Sequence, residues 1–166
     1  MRRAIVLALV LGACRRNSDE ISVGSARFEL DAAWQRTDTQ SRGSVTAVFT
    51  PSRNLRKESI AVIRTEVGSV ATIYTPEVLT QLLAGAQRSL PDGHPGLMKA
   101  VASSEGLQGV QIEVDFRPPG TNQRYRRVHA VFADGTALIH IVYTAATPEP
   151  GLPTYLRVLD TIHEES

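Results

Sequence analysis

Cysteine is almost absent from this sequence, because Cys14 is the only one among 166 residues. A single thiol excludes an internal disulfide, and a lone cysteine in an exported protein requires another explanation. The folded chain must therefore be stabilised by a packed hydrophobic core. If Cys14 is modified, a cysteine nucleophile is excluded as well.

The motifs of common enzyme families are also missing. The sequence contains no G-x-S-x-G nucleophile elbow, no Walker loop, no G-x-G-x-x-G and no H-E-x-x-H. Each of these patterns places reactive or phosphate-binding groups at a fixed spacing. We therefore predict no catalytic residue, no cofactor-binding residue and no metal ligand.

An excess of positive charge is lacking too. The chain has 18 Lys and Arg against 17 Asp and Glu, and two of the basic residues, Arg2 and Arg3, precede Cys14. Cleavage before Cys14 would leave 16 basic against 17 acidic side chains. A general nucleic-acid binder carries a basic excess on one face, so we predict that the protein does not bind nucleic acid.

The clearest positive signal lies at the start of the chain. Arg2 and Arg3 precede the apolar run Ala4–Leu11, which is shorter than the ~20 residues of a membrane-spanning helix and fits a signal peptide. Leu11-Gly12-Ala13-Cys14 follows and resembles the bacterial lipobox, in which the cysteine becomes the lipidated first residue. We predict a lipoprotein signal peptide over residues 1–13 and lipidation, with palmitate, at Cys14. The alternative is an ordinary secretory signal cut near Ala13.

A lipid on Cys14 would attach the protein to a membrane of the bacterial cell envelope. Arg15 follows this cysteine, and the enterobacterial sorting rule retains lipoproteins with Asp at that position in the inner membrane. The rule therefore favours the periplasmic face of the outer membrane. Other bacteria sort differently, so the choice between the inner and outer membrane stays open.

The rest of the chain predicts a flexible tether over residues 14–25 and a single domain over residues 26–166. Alternation of apolar and polar residues is typical of strands. It predicts strands from Phe28 to near Trp34, around 45–49, and over 60–66, 97–104, 110–116, 124–133 and 136–144.

Two helices complete the predicted fold. Thr75, Pro76 and Glu77 supply a capping hydroxyl, a proline at the first helical position and an acid in the first turn. Helical spacing then predicts amphipathic helices near 76–90 and 153–164. The expected class is α+β, with a mainly antiparallel sheet of about six strands packed with two main helices in an α/β/α sandwich.

A histidine pair follows from the predicted hairpin at Asp134-Gly135. A two-residue turn at this dipeptide places His129 directly opposite His140. If the apolar residues of the preceding strand join the same core, Glu113 lies beside Arg127. One sheet face would then collect His129, His140, Glu113, Asp115, Arg127 and Tyr125.

This face has two interpretations. Opposed residues have Cβ atoms ~4.5–5.5 Å apart, so His129 and His140 could share a proton, a water or a metal, with Glu113 as a third ligand. Otherwise the face is partly exposed and polar, crossed by a Glu113–Arg127 ion pair.

Basic clusters and aromatic residues are the remaining candidates for binding. The clusters are Arg53, Arg56 and Lys57 in one turn, and Arg124, Arg126 and Arg127 beside a loop. They would contact anionic lipid headgroups or an acidic partner, or they are solvated surface charge. Three aromatic residues, Trp34, Tyr143 and Tyr155, are expected in the core; Trp34 would otherwise cap a ligand pocket.

Several of these features together resemble the PsbP-like fold. The opening Phe28-x-Leu30-x-x-x-Trp34 is similar to the family's first strand, and Asp134-Gly135, Tyr143-Thr144-Ala145, Tyr155 and Ile162 are similar to its closing hairpin and final helix. The superfamily includes the photosystem P subunit, the Ran-binding Mog proteins and bacterial lipoproteins of the DcrB type. The resemblance implies an antiparallel sheet between helical layers, roles in partner binding or assembly, and no shared catalytic residues.

The sequence as a whole favours a membrane-anchored lipoprotein that acts as a non-enzymatic interaction or envelope-assembly module. Its expected partners are the membrane, through the lipid, and an envelope protein. The alternative is a small hydrolase or metal-dependent enzyme that uses the face with His129 and His140.

Overall fold

A computed structural model of the chain describes residues 18–53, 57–67, 75–88, 90–134, 136–147 and 151–165. Cys14 and the predicted signal peptide, Arg56 of the first basic cluster and Gly135 of the hairpin turn lie outside the described residues. Within those ranges, neither helix has the length and apolar character needed to cross a membrane.

The described residues form ten strands and two helices. In chain order they are β1 Ser18–Val23, β2 Ala26–Asp31, β3 Trp34–Ser41, β4 Ser44–Pro51, β5 Ser59–Glu66, α1 Pro76–Gln87, β6 His94–Ala102, β7 Gln108–Phe116, β8 Tyr125–Ala133, β9 Ala137–Ala146, α2 Leu152–Thr161 and β10 His163–Glu164. Seven strands form the main sheet, in the order β3-β4-β5-β9-β8-β7-β6, and β1, β2 and β10 form a second sheet. All neighbouring strands are antiparallel.

The second sheet and α2 cover one face of the main sheet and enclose the larger core. Helix α2 buries Tyr155, Val158 and Leu159. Phe28 of β2 meets Phe49 of β4 edge to face, with ring centroids 5.7 Å apart. Pairs of this geometry contribute about 0.5–1.5 kcal/mol beyond the area that they bury.

Helix α1 covers part of the other face and encloses a smaller core. Its first turn is built as predicted, because the Thr75 side chain accepts a hydrogen bond from the Val78 backbone N–H at 3.4 Å. Leu79 and Leu83 pack on apolar residues of β7, β8 and β9, namely Val110, Ile112, Val114, Val131 and Leu138. Strands β7 and β8 are therefore buried on both faces.

The structure confirms an α+β fold with a mainly antiparallel sheet and two main helices, and it corrects the details. The main sheet has seven strands and a second sheet has three, where about six strands were predicted. Residues 18–23, predicted as part of the flexible tether, form β1 and pair with β2. The last helix ends at Thr161, and His163 and Glu164 form β10, which pairs with β2.

The predicted register of the closing hairpin is wrong by two residues, because the partner predicted for His129 was His140. His129 lies opposite Val142, and His140 lies opposite Val131. Asp134 stands immediately before the turn and not, as was predicted, within it. Its carboxylate accepts hydrogen bonds from the backbone N–H groups of Thr136 and Ala137, at 2.8 and 2.6 Å. An aspartate that caps a turn in this way stands at its first position.

The predicted face of β7 is also wrong. Ile112 lies opposite His129, and Glu113 lies opposite Val128, so the apolar residues of β7 face α1 and not the larger core. Glu113 and Asp115 consequently point away from the histidines. Glu113 pairs with Lys99 of β6, at 3.2 Å, in place of the predicted Arg127.

Candidate functional site

The two histidines meet, although they are not directly opposite. They occupy diagonal positions on the face that α1 covers, and their ring centroids are 5.2 Å apart. His129 Nε2 and His140 Nδ1 are 3.0 Å apart, which is hydrogen-bond distance. The prediction that His129 and His140 lie together on one face of the sheet is therefore confirmed.

Gln87 extends this pair into a line of three side chains. Its Nε2 lies 3.3 Å from His129 Nδ1, and an amide nitrogen can only donate. These contacts join Gln87, His129 and His140 in one hydrogen-bonded line through both ring nitrogens of His129. The sequence signal for Gln87 is its position four residues after Leu83, on the buried stripe of α1.

Burial keeps both imidazoles neutral. Desolvation, the neighbouring His140 and Arg127 lower the pKa of His129 to about 3. Burial also lowers the pKa of His140. Removal from water disfavours the charged form of a base, and among the residues that the structure describes no carboxylate pairs with either ring.

The structure does not bring the predicted third ligands to the face with His129 and His140. The carboxylates expected as third ligands, Glu113 and Asp115, belong to the opposite face of the sheet. Among the described residues there is no group of three or more His, Cys, Asp or Glu that could hold a metal ion. Arg127 lies over the Phe116 ring, 5.3 Å from its centroid, and donates to the Thr144 hydroxyl at 3.4 Å.

The aromatic residues named from the sequence belong to the larger core. Tyr143 and Tyr155 are fully buried, with ring centroids 5.7 Å apart, and the Tyr155 hydroxyl donates to Gln111 Oε1 at 3.1 Å. Burial raises the pKa of Tyr155. Trp34 is partly buried and packs against this core, as predicted.

A second polar site lies where three strands of the main sheet end. A cleft of about 270 Å³ is lined by Asp92, Gly93, His94, Asp115, Phe116, Arg117 and Arg124; we call it the arginine cleft. Asp92 and Gly93 precede β6, while Arg117 follows β7 and Arg124 precedes β8. Antiparallel pairing brings these ends together. Of the lining residues, Arg124 was predicted as part of a basic cluster and Asp115 as part of the face with the histidines.

Comparison with known proteins reveals similarity of fold only. The solution structure of cyanobacterial PsbP (CyanoP) from Synechocystis sp. PCC 6803 is 17% identical, covers 93% of this chain and 96% of its own, and superposes with a TM-score of 0.59. The crystal structure of PA94, a protein of unknown function from Pseudomonas aeruginosa, is 13% identical over 90% of this chain and 98% of its own, with a TM-score of 0.57.

A third similar structure is LpqN, involved in cell envelope biogenesis of Mycobacterium tuberculosis. It is 11% identical and covers 88% of this chain and 90% of its own, with a TM-score of 0.48. No protein-family model and no curated protein matches the sequence. The chain has the PsbP-like fold that its sequence resembles.

Proposed function

We propose that this protein is a bacterial lipoprotein, attached through a lipid on Cys14, that acts as a non-enzymatic interaction or envelope-assembly module. The observation that carries the proposal is the order Arg2-Arg3, the apolar run Ala4–Leu11 and the lipobox ending at Cys14. A domain whose first strand begins at Ser18 follows closely. The periplasmic face of the outer membrane is the favoured location.

The histidine side chains form hydrogen bonds within the protein, and this supports a non-enzymatic role. His129 forms hydrogen bonds with both His140 and Gln87, and the carboxylates expected as further ligands lie on the other face of the sheet. The enzyme alternative therefore loses its third ligand. Partner binding is also the role that the PsbP-like resemblance implies.

Replacing Cys14 with serine should release the protein from the membrane fraction, because serine cannot carry the thioether-linked lipid. Radiolabelled palmitate should enter the wild-type protein and not the variant. Fractionation of cells and fluorography of the immunoprecipitated protein measure both effects. An unlabelled wild-type protein would overturn the proposed anchor.

The Arg15→Asp variant is the matched control, because it changes the neighbouring residue and leaves the thiol intact. This variant should incorporate palmitate as the wild type does. In an enterobacterial host it should also move to the inner-membrane fraction, according to the sorting rule. Loss of label from this variant would show that the effect is not specific to Cys14.

Crosslinking in cells, followed by mass spectrometry, tests the interaction role. We expect one envelope protein to be recovered at a constant stoichiometry with the wild type, and to be lost with the Cys14→Ser variant, which leaves the membrane. If no partner is recovered and a His140→Gln variant loses function while remaining folded, the enzyme alternative is favoured.

A further inference from the structure

The arginine cleft contains two cationic groups that the fold does not use. Arg117 and Arg124 are exposed. Neither guanidinium has a hydrogen bond or an ion pair with any residue that the structure describes. Both stand at the edge of the same cleft. Two such guanidinium groups, at the two ends of the loop that joins β7 to β8, form a site for a ligand of opposite charge.

Asp115, one of the two carboxylates that line the cleft, already pairs with a different arginine. Arg126 donates to both of its oxygens, from Nε at 2.8 Å and from Nη2 at 3.2 Å. This hydrogen bonding lowers the pKa of Asp115, and the charges of Arg126, Arg124 and His94 act in the same direction. Arg126 therefore takes up the hydrogen-bonding capacity of Asp115, and Asp92 is the other carboxylate among the described residues that line the cleft.

The floor of the cleft is held in place by packing. Phe116 is buried except for a small fraction of its surface, with Tyr125 beside it at 5.8 Å between ring centroids. Arg127 lies over the same ring and adds positive charge next to the cleft. The lining of the cleft therefore combines a packed aromatic ring with arginine side chains.

We propose that the arginine cleft binds a phosphate group, with its source in the headgroup of an anionic phospholipid. The planar fork of arginine matches phosphate with two parallel hydrogen bonds, and the cleft has room for phosphate with a glycerol substituent. The lipid source rests on the proposed anchor on Cys14, which would hold the domain at a phospholipid surface.

Titration of the purified full chain with sn-glycerol 3-phosphate, followed by calorimetry, tests the site. We expect the double variant Arg117→Gln/Arg124→Gln to bind at least about tenfold more weakly, since each charge-assisted hydrogen bond contributes on this scale. The variant Arg42→Gln/Arg53→Gln removes the same charge from exposed turns outside the cleft and should bind as the wild type does. Circular dichroism and thermal unfolding establish that all variants are folded.

Vesicles identify the source of the phosphate. Phosphatidylglycerol in a phosphatidylcholine background should retain more wild-type protein than the cleft variant, while pure phosphatidylcholine should retain both equally. The apolar run near the N-terminus is common to both proteins and cancels in this comparison. Glycerol phosphate binding without a vesicle difference would support the phosphate site and assign it to a soluble ligand, which overturns the lipid source.

Two results would overturn the site itself. One is equal affinity of the wild type and the cleft variant for glycerol phosphate. The other is an equal loss in the Arg42→Gln/Arg53→Gln control, which would show unspecific attraction by net charge. The titration does not depend on lipidation of Cys14, so its failure leaves the proposed anchor intact, and failure of palmitate labelling leaves the cleft intact.

Discussion

Replacing Gly109 with alanine is expected to lower the free energy of unfolding by about 3 kcal/mol, at the upper end of the usual cost of overpacking. Gly109 lies in β7, opposite Phe132. A Cβ atom at this position would overlap the backbone oxygen of Val131 and lie 2.8 Å from Cδ1 of Phe132. Neither atom can move without disturbing β8, which is hydrogen-bonded on both sides.

The same substitution at Gly85 should have the opposite sign. Gly85 lies inside α1, and a Cβ atom there would meet nothing within 4 Å. Alanine should therefore stabilise the protein by up to about 1 kcal/mol through its helix propensity. Urea unfolding of both variants, with the midpoint and slope compared to the wild type, measures the two effects. A Gly109→Ala variant as stable as the wild type would contradict the close approach of β7 and β8.

Acid should destabilise this protein through His129 well before the carboxylates titrate. The folded pKa of His129 is lowered to about 3, whereas an unfolded histidine titrates near 6.5. Its contribution to stability is complete above the unfolded value and is lost as the pH falls from about 6.5 toward about 3. Protonation below that window would place an uncompensated charge between the main sheet and α1.

The size of this effect at pH 5 depends almost entirely on the unfolded pKa. Binding of a proton to the unfolded histidine alone should remove about 2 kcal/mol of stability between pH 7.5 and pH 5. A His129→Gln variant should lose about that much less over the same interval. Urea unfolding at both pH values measures the difference, and His94→Gln, at an exposed histidine, is the control that should behave as the wild type.

The same pH dependence in the wild type and in His129→Gln would contradict this expectation. It would mean that the His129 ring remains hydrated in the folded protein. His140 would still titrate in the variant, so the comparison isolates the contribution of His129.

Strong alternation in the sequence was sufficient to predict the strands at the centre of the fold. Strands β4, β5, β7, β8 and β9 were all located, and so were both helices. Strand β3 was missed because its sequence, WQRTDTQS, is polar and almost entirely exposed. Pairing with β4 holds it in the sheet, and a tertiary contact of this kind leaves no hydrophobic pattern.

The face of β7 could not be predicted because the sheet is buried on both sides. Val110, Ile112 and Val114 indicate a buried face, but two cores were available, and these residues join the one beneath α1. Gln111, on the opposite face, is buried as well. Its side-chain oxygen accepts a hydrogen bond from the Tyr155 hydroxyl. An assignment based on a single core therefore placed Glu113 beside the histidines.

The arginine cleft escaped prediction for a different reason. Arg117 and Arg124 are separated by a loop, and His94 belongs to another hairpin. Only the pairing of β6, β7 and β8 brings these residues to one end of the sheet. The arginines could be identified from the sequence, whereas their position relative to the other cleft residues depends on the order of the strands.

That order also governs when the molecule acquires its structure during synthesis. The hairpin β8–β9 lies between β5 and β7, so the strands made first share no ladder with β6 and β7 until this late segment arrives. The final residues, in α2 and β10, then complete the second layer. Pairing of strands that are distant in the sequence requires the closure of long loops. The entropy lost in that closure is offset only when the contacts between the strands form. The two halves of the main sheet are therefore joined only once β8 and β9 are present, so folding is expected to be slow and cooperative.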